Sequence, residues 1–237
     1  MKRAVIVVVV LLVLLAGFGV WWYLIRDDEP PEAALPEREP PTTSEGGETA
    51  GSADGTWTVV EGDDVFAGFR IVEHFTGGID NTAVVRSPSV GGSMTVEGTV
   101  VDDVEVEVDL TALESRDSVP PGVPGVGNRV EQMRGDGLEI DTYPTASFTL
   151  TEPIELDGPP APDTEVAVDA TGELTIHGVT RPVTIPIQAR WSGDLIDLAG
   201  SSEVSLTDYE MDPPDRPFVS VDEMGTMEFQ LVLERSG

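Results

Sequence analysis

Cysteine is absent from all 237 residues of the chain. The absence excludes disulfides, thiolate metal sites, a cysteine nucleophile and the acylated N-terminal cysteine of a lipoprotein. Redox chemistry therefore gives no information about the compartment in which the protein works.

Positive charge is also scarce. Lys2 is the only lysine, and 13 Lys and Arg residues face 44 Asp and Glu residues, which gives a formal net charge of −31. A surface this acidic repels nucleic-acid phosphates and anionic lipid headgroups. A nucleic-acid partner is therefore excluded from the function classes considered further.

Histidine occurs twice, at His74 and His177, and neither has a second histidine at a metal-ligand spacing. A metal or catalytic site needs several convergent groups, so His177 is expected to hydrogen-bond backbone in a turn instead. No serine lies in a nucleophile elbow and no glycine-rich stretch opens a helix as a phosphate loop. The sequence thus predicts no metal, no cofactor and no enzymatic activity.

A long apolar run, Ala4–Ile25, has no charge until Arg26. As a helix it would span about 31 Å, the thickness of a bilayer's hydrocarbon core. Lys2 and Arg3 precede the run, so the positive-inside rule places the N-terminus in the cytoplasm and the rest outside. Residues 1–26 are predicted as a single-pass membrane anchor that crosses the cell membrane with residues 4–25. The alternative is a signal peptide cut among the small residues near Ala16, and it also places the body outside the cytoplasm.

Residues 27–54 are rich in Pro, Glu, Gly, Ser and Thr and contain almost nothing to bury. This composition predicts a disordered, acidic, Pro-rich linker between the anchor and a folded domain over residues 55–237.

The folded part is a succession of short strands with turn signals between them. Val104, Val106 and Val108 alternate with acidic residues, which is typical of a half-buried strand. Two alternating runs around Gly178 predict a β-hairpin, and the prolines of its second strand indicate an edge, a bulge or a strand start. A short helix is expected over Asn128–Met133, ended by Gly135. About eight or nine strands with so little helix predict a β-sandwich or a closed antiparallel barrel.

Several motifs carry a resemblance to a known family. They are the hairpin residues Leu174-Thr175-Ile176-His177-Gly178-Val179-Thr180-Arg181-Pro182-Val183, the segment Tyr143–Phe148, the strand from Val106 that ends at Arg116-Asp117, and the pair Asp208-Tyr209. Together they resemble the bacterial YceI-like family. The resemblance implies an all-β fold, an antiparallel eight-stranded lipocalin-like β-barrel with one short helix, which follows the N-terminal transmembrane helix. It also implies binding of polyisoprenoid or related lipids.

Alternation along the strands selects twelve inward positions. They are Phe69, Ile71, Val106, Val108, Phe148, Leu150, Val168, Leu174, Ile176, Ile185, Phe229 and Leu231. Read with the resemblance, they are predicted to line a cavity for an isoprenoid quinone-like lipid or another long-chain amphiphile, such as a fatty-acyl lipid, in a membrane-tethered extracytoplasmic protein.

A second hypothesis is a barrel filled by its own side chains, acting as an envelope-stress or surface interaction protein without a ligand. It is motivated by Gly137-Leu138 and Leu206, which stand where the family usually carries an aromatic pair and an arginine. The sequence leaves open whether the protein is a monomer or a homodimer.

Overall fold

The computed structural model describes residues 29–38, 51–117 and 129–236, and thirteen strands are assigned within these ranges. The strands are β1 (Gly55–Val59), β2 (Phe66–Phe75), β3 (Ile79–Ser87), β4 (Val90–Glu97), β5 (Val100–Asp109), β6 (Glu114–Ser115), β7 (Thr145–Leu150), β8 (Ile154–Glu155), β9 (Glu165–Ile176), β10 (Val179–Ser192), β11 (Leu195–Ser205), β12 (Asp215–Arg216) and β13 (Val219–Arg235). One helix, α1 (Arg129–Asp136), lies between β6 and β7. Two single 3-10 turns follow β5 and β11.

The strands form an antiparallel sheet in the order β1-β4-β5-β7-β9-β10-β11-β13. Pairing of β13 with β1 closes this sheet into a barrel. The long strand β13 has two partners on its second edge, since β1 pairs with its C-terminal end and β2 pairs with the part before it. β3 and β6 continue the wall beyond β2. The prediction of an all-β, closed eight-stranded barrel with one helix is confirmed.

The hairpin of β9 and β10 forms as predicted, with a turn of only two residues. His177 and Gly178 both have positive φ, 53° and 73°, which is the type I′ geometry that suits a twisted antiparallel ladder. β10 pairs with β9 over nearly its whole length but with β11 only from Ile187 onward. Pro182 and Pro186 lie in the stretch without a β11 partner, so they fit the edge position that the sequence indicated.

Helix α1 differs slightly from the expectation, because it continues through Gly135 and ends at Asp136. Its N-terminal neighbour Asn128, the expected cap, lies outside the described residues. Val130 and Met133 turn toward the barrel and pack against the apolar cluster at that end. The helix therefore covers one end of the barrel.

Apolar clusters occupy both ends of the barrel. At the end where β1 enters, Trp57 is completely buried, and it packs with Trp191 and the side chains that follow from β4, β11 and β13: Met94, Val96, Ile196, Leu231 and Leu233. At the helix end the cluster contains Val85, Leu110, Leu113, Leu138, Ile140, Leu174, Tyr209 and Met211. The space between the two clusters is where a ligand could be held.

Residues 29–38, which we call the strap, lie along the outside of the barrel. The linker was expected to be disordered over residues 27–54, but five of these ten residues hydrogen-bond to strands β2, β3, β10, β11 and β13. The physical reason is specific pairing with buried charged side chains, which overrides a composition with few large apolar residues.

The predicted anchor, residues 4–25, lies outside the described residues. Among residues 29–38, 51–117 and 129–236 there is no helix long and apolar enough to cross a membrane.

Candidate functional site: a cavity inside the barrel

A cavity of about 270 Å³ lies inside the barrel between the two end clusters. Its walls come from the inward faces of β2, β5, β7, β9, β10, β11 and β13, and α1 and residues 211–216 form one end. This volume is near the lower limit of the roughly 300–1,000 Å³ common for small-molecule sites. The barrel is therefore not completely filled by its own side chains.

Ten of the twelve residues predicted to face inward line this cavity: Phe69, Ile71, Val106, Val108, Phe148, Leu174, Ile176, Ile185, Phe229 and Leu231. Leu150 and Val168 do not. Leu150 is the last residue of β7. Val168 lies four positions before Gly172, which is the first residue of β9 that pairs with β7. Ile187, which pairs with Val168 across the β9–β10 ladder, does line the cavity. Period two therefore gave the face on which residues lie, but not which residues of that face border the open space.

The sequence prediction missed other apolar residues that line the cavity. Those on strands that carry predicted residues are Val104, Ala146, Ile187, Val219, Val221 and Met227, and those on β11, which carries none, are Leu198 and Val204. Helix α1 and the connecting segments add Leu110, Leu113, Met133, Leu138, Leu206 and Met211. The strand residues follow the same alternation and were available from the sequence. The residues of the connecting segments have no such period.

Two phenylalanine rings lie against glycines of neighbouring strands. A β-carbon added at Gly172 would lie 2.6 Å from Cζ of Phe148, and one added at Gly200 would lie 2.6 Å from Cζ of Phe229. Real carbon atoms do not approach so closely, so larger residues at these positions would push the rings away. The missing side chains allow both rings to rest on the wall and leave the middle of the barrel open.

The positions that depart from the family pattern contribute to the same cavity. Gly137, Leu138 and Leu206 all line it, at the end where α1 packs. They are smaller than the aromatic pair, and lack the charge of the arginine, that the resemblance leads us to expect at these positions. The departures that motivated a filled barrel thus lie beside open space.

One group of charged side chains borders the helix end of the cavity. Arg129 of α1 donates from Nε to Oε1 of Glu73 at 3.0 Å and from Nη2 to Oε2 at 2.6 Å. Its Nη1 donates to Oδ1 of Asp117 at 2.6 Å and to Oγ of Ser115 at 2.7 Å. Asn81 donates to both carboxylates. The group ties α1 to β2 and β3. Glu73 and Arg129 line the apolar cavity at this end, together with Asp212 and Arg216.

Burial and pairing shift the pKa values of Asp117 and Arg129 in opposite directions. Burial alone would raise the pKa of Asp117, but the N–H of Val84 and the charge of Arg129 outweigh it, so the pKa lies below its ordinary value. Burial would lower the pKa of Arg129, and hydrogen bonds and charge from Glu73 and Asp117 raise it instead. Asp117 and Arg129 are therefore both charged near neutral pH. Because Arg129 is hydrogen-bonded to Glu73 and Asp117, the cavity faces a bonded ion cluster and not a free charge.

His177 has the structural role that was expected. Its Nδ1 is 3.2 Å from the carbonyl oxygen of Tyr209, its Nε2 is 2.9 Å from Oε2 of Glu139, and its ring meets Tyr143 edge-on at 4.5 Å between centroids. It joins the β9–β10 turn to two connecting segments at the helix end of the barrel.

His74 is exposed and bridges two carboxylates on the outside. Its ring nitrogens are 2.8 Å from Asp80 and 2.9 Å from Asp222, and hydrogen bonds to these two carboxylates raise the pKa of the imidazole. In the described ranges, no group of three or more His, Asp or Glu side chains is arranged to hold a metal ion.

Comparisons with known proteins agree with the motifs. The family model of the YceI-like domain matches residues 60–233. A UPF0312 protein of Vibrio parahaemolyticus is 28% identical over 115 residues, which cover 46% of this chain and 52% of the relative. A UPF0312 protein of Pseudomonas aeruginosa is 36% identical over 81 residues, 32% of this chain and 38% of the relative. The chain thus spans about half the length, or less, of the curated relatives that it matches.

A solved structure has the same fold at low sequence identity. It is described as a polyisoprenoid binding domain from Saccharophagus degradans implicated in plant cell wall breakdown. It superposes with a TM-score of 0.55 at 16% identity, over 76% of this chain and 98% of that domain. With the family model covering most of the folded part, the chain belongs to the YceI-like family.

Proposed function

We propose that this protein is a membrane-tethered, extracytoplasmic lipid-binding protein that holds a polyisoprenoid, or another long-chain neutral amphiphile, inside its barrel. The observation that carries the proposal is the continuous apolar cavity between the two end clusters. The S. degradans domain of the same fold is described as polyisoprenoid binding, which supports an isoprenoid as the ligand class.

The mechanism of the proposed binding is burial. Each buried methylene contributes roughly 0.8 kcal/mol, so an alkyl chain of about ten carbons is retained without any covalent chemistry. The ion cluster of Glu73, Arg129 and Asp117 leaves a polar border where the headgroup of an amphiphile would lie. A neutral headgroup suits this border, because the guanidinium of Arg129 is already paired with two carboxylates and the net charge of the chain is −31.

Two exposed apolar residues at hairpin tips would help the exchange of lipid with a membrane. Ile79 begins β3, and Phe218 lies in the β12–β13 turn, and both are exposed. The two tips touch, since the N–H of Thr76 donates to the carbonyl oxygen of Phe218 at 3.1 Å. Apolar residues at such tips favour contact with the bilayer interface.

Native mass spectrometry of the full chain, purified from the membranes of its own cells, tests the proposal. We expect a discrete added mass that organic solvent removes. Ala146 lines the cavity, and Ala146→Phe should fill the space and abolish the added mass. Thr149→Phe, on the exposed face of the same strand, should leave the lipid bound.

A bare mass that stays bare after incubation with isoprenoid quinones would contradict the proposal and favour a barrel without a ligand. Because the proposal is binding without catalysis, chemical conversion of the bound lipid would also contradict it. Protein recovered in the soluble fraction would refute the tethering and leave the lipid binding to be judged by mass.

A further inference from the structure

The strap is held by charged side chains that project from the outside of the barrel. Nη2 of Arg70 donates to the carbonyl oxygens of Pro30 at 2.6 Å and Pro31 at 2.7 Å, and Nη2 of Arg86 donates to the oxygen of Pro31 at 2.6 Å. The N–H of Ala33 donates to Oε2 of Glu228 at 3.1 Å. The strap thus begins over β2 and β3 and crosses β13.

The second half of the strap is fixed in the same way. Arg190 of β10 donates to the carbonyl oxygen of Pro36, and Arg38 donates from Nε to Oδ2 of Asp197 at 2.6 Å and from Nη2 to Oδ1. Arg190 also donates to Oδ2 of Asp197 at 3.0 Å. Five strands of the wall therefore bind one extended segment of the chain.

The chemistry of the two partners is complementary. Proline has no N–H, so a Pro-rich segment presents carbonyl acceptors with few competing donors, and arginine presents donors alone. Glu228 and Asp197 have exposed fractions of only 1% and 0%, although they belong to the outward face of a barrel wall. Buried carboxylates need partners, and Arg70 and Arg86 satisfy Glu228 as Arg38 and Arg190 satisfy Asp197. These features indicate that the outer face of the barrel is a specific docking surface for the strap. A disordered linker would not require such a surface.

Docking of the strap shortens the free stretch of chain between the predicted anchor and the barrel. Four Cα steps separate Ile25, the end of the apolar run, from Glu29, the first strap residue, and they extend to at most about 14 Å. With the strap released, thirty steps would separate Ile25 from Gly55, with a limit of about 100 Å. The docked strap thus fixes the barrel wall next to the end of the predicted anchor.

We propose that the outer face of β2, β3, β10, β11 and β13 is a receptor for the chain's own strap, and that this docking holds the barrel at the membrane surface. The inference rests on the proposed function, in which residues 4–25 anchor a lipid-binding barrel. It assigns to residues 29–38 the role of setting the height and the orientation of the barrel, which a free linker would leave unfixed.

Hydrogen exchange on the full chain tests the docking without reference to the membrane. The amide of Ala33 is bonded to Glu228, whereas the neighbouring amide of Ala34 has no acceptor in the described residues and its side chain is exposed. Ala33 should exchange at least about tenfold more slowly than Ala34. Equal rates for the two amides would overturn the inference.

Two pairs of variants separate the docking from general effects on the segment. Ala33→Pro removes the N–H that Glu228 accepts, and Ala34→Pro is its control one residue away. Arg38→Gln removes the charge that pairs with Asp197, and Glu37→Gln is its control on an exposed neighbour. Only the first variant of each pair should speed proteolysis between the predicted anchor and the barrel.

The distance to the membrane is measured with the full chain in nanodiscs. Because the native chain has no cysteine, Asp194→Cys gives a single labelling site on an exposed turn. Energy transfer from this label to labelled lipid headgroups should fall and become more heterogeneous in the combined Ala33→Pro, Arg38→Gln variant, and should not change in the combined control. Unchanged transfer in the test variant would contradict the role in setting height.

The outcomes distinguish this inference from the proposed function. A chain that fails to enter nanodiscs, with Ala33 still protected, would refute the anchor and leave strap docking intact. An unprotected Ala33 in a chain that carries lipid and is anchored would refute the inference alone.

Discussion

Strands β2 and β13 carry buried apolar residues on their inner face and buried charged residues on their outer face. In most barrel walls the outer face is exposed to solvent. On the inner face, the partly buried rings of Phe69 and Phe229 line an apolar cavity, and on the outer face of the same strands Arg70 and Glu228 are buried, with exposed fractions of 8% and 1%. An inner face is buried by closure of the barrel itself, whereas an outer face is buried only when something else covers it. Buried charge on the outside therefore reveals the strap as clearly as apolar residues on the inside reveal the cavity.

Removing the buried charge of the outer face should have the largest effect. Glu228→Gln removes the buried carboxylate that pairs with Arg70 and Arg86, and leaves Arg70 with a single carboxylate contact, the longer one of 3.9 Å to Glu29. Breaking a buried pair costs about 3–5 kcal/mol. Urea denaturation should show this loss in the free energy of unfolding. The control is Glu234→Gln, an exposed acid on the same strand, and a similar small change in both variants would show that the outer face is not truly buried.

Removing volume from the inner face should have the next effect. Leu231→Ala, at a position 2% exposed, should cost about 3 kcal/mol by lost burial and an enlarged cavity. In contrast to Glu228→Gln, this variant should keep Ala33 protected from hydrogen exchange. Loss of that protection would mean that packing on the inner face controls docking of the strap on the outer face. The two faces could then not be treated as independent.

The ion cluster at the helix end should make stability depend on acid. The pKa of Asp117 is lowered in the folded state, so its contribution is present above about pH 4 and is lost as pH falls through the folded pKa. Asp117→Asn should lower the free energy of unfolding by about 2 kcal/mol at pH 7 and flatten its dependence on pH below 4. An unchanged acid profile of thermal unfolding in this variant would contradict the role given to the cluster.

The exposed cluster of His74 should have the smallest effect. Its pKa is raised, so the stabilisation is present below about pH 6.5 and is lost as pH rises through the folded pKa. Asp222→Asn should move the imidazole pKa, followed by NMR, back toward the ordinary value, with no measurable change in the melting temperature. Asp194→Asn, remote from His74, should leave its titration curve as it is.

The inner face was predictable from sequence because period two is a local property. Alternation through Val106 and Val108, or Leu174 and Ile176, identified residues that line the cavity, and the turn at Gly178 fixed their register. Alternation does not show which residues of the inner face border the open space, and so Leu150 was included in the predicted lining although it does not line the cavity.

The polar parts of the molecule were not predictable by such reasoning. Glu73 and Arg129 are 56 positions apart and meet only because α1 folds over the barrel end. Glu228 between Met227 and Phe229 has the pattern of an ordinary solvated outer position. The composition of residues 29–38 predicts disorder. Composition does not show that the carbonyl oxygens of this segment accept hydrogen bonds from arginines on strands far away in the sequence.

The double pairing of β13 has a consequence for biogenesis. Every strand that it pairs with precedes it in the chain, and the seam with β1 joins Thr58 to Ser236, which are 178 positions apart and hydrogen-bonded at 2.6 Å. Contacts of such high sequence separation form late and slowly. The barrel therefore cannot close until β13 has been synthesised. If the chain is exported as we propose, it should cross the membrane unfolded and close its cavity only on the far side.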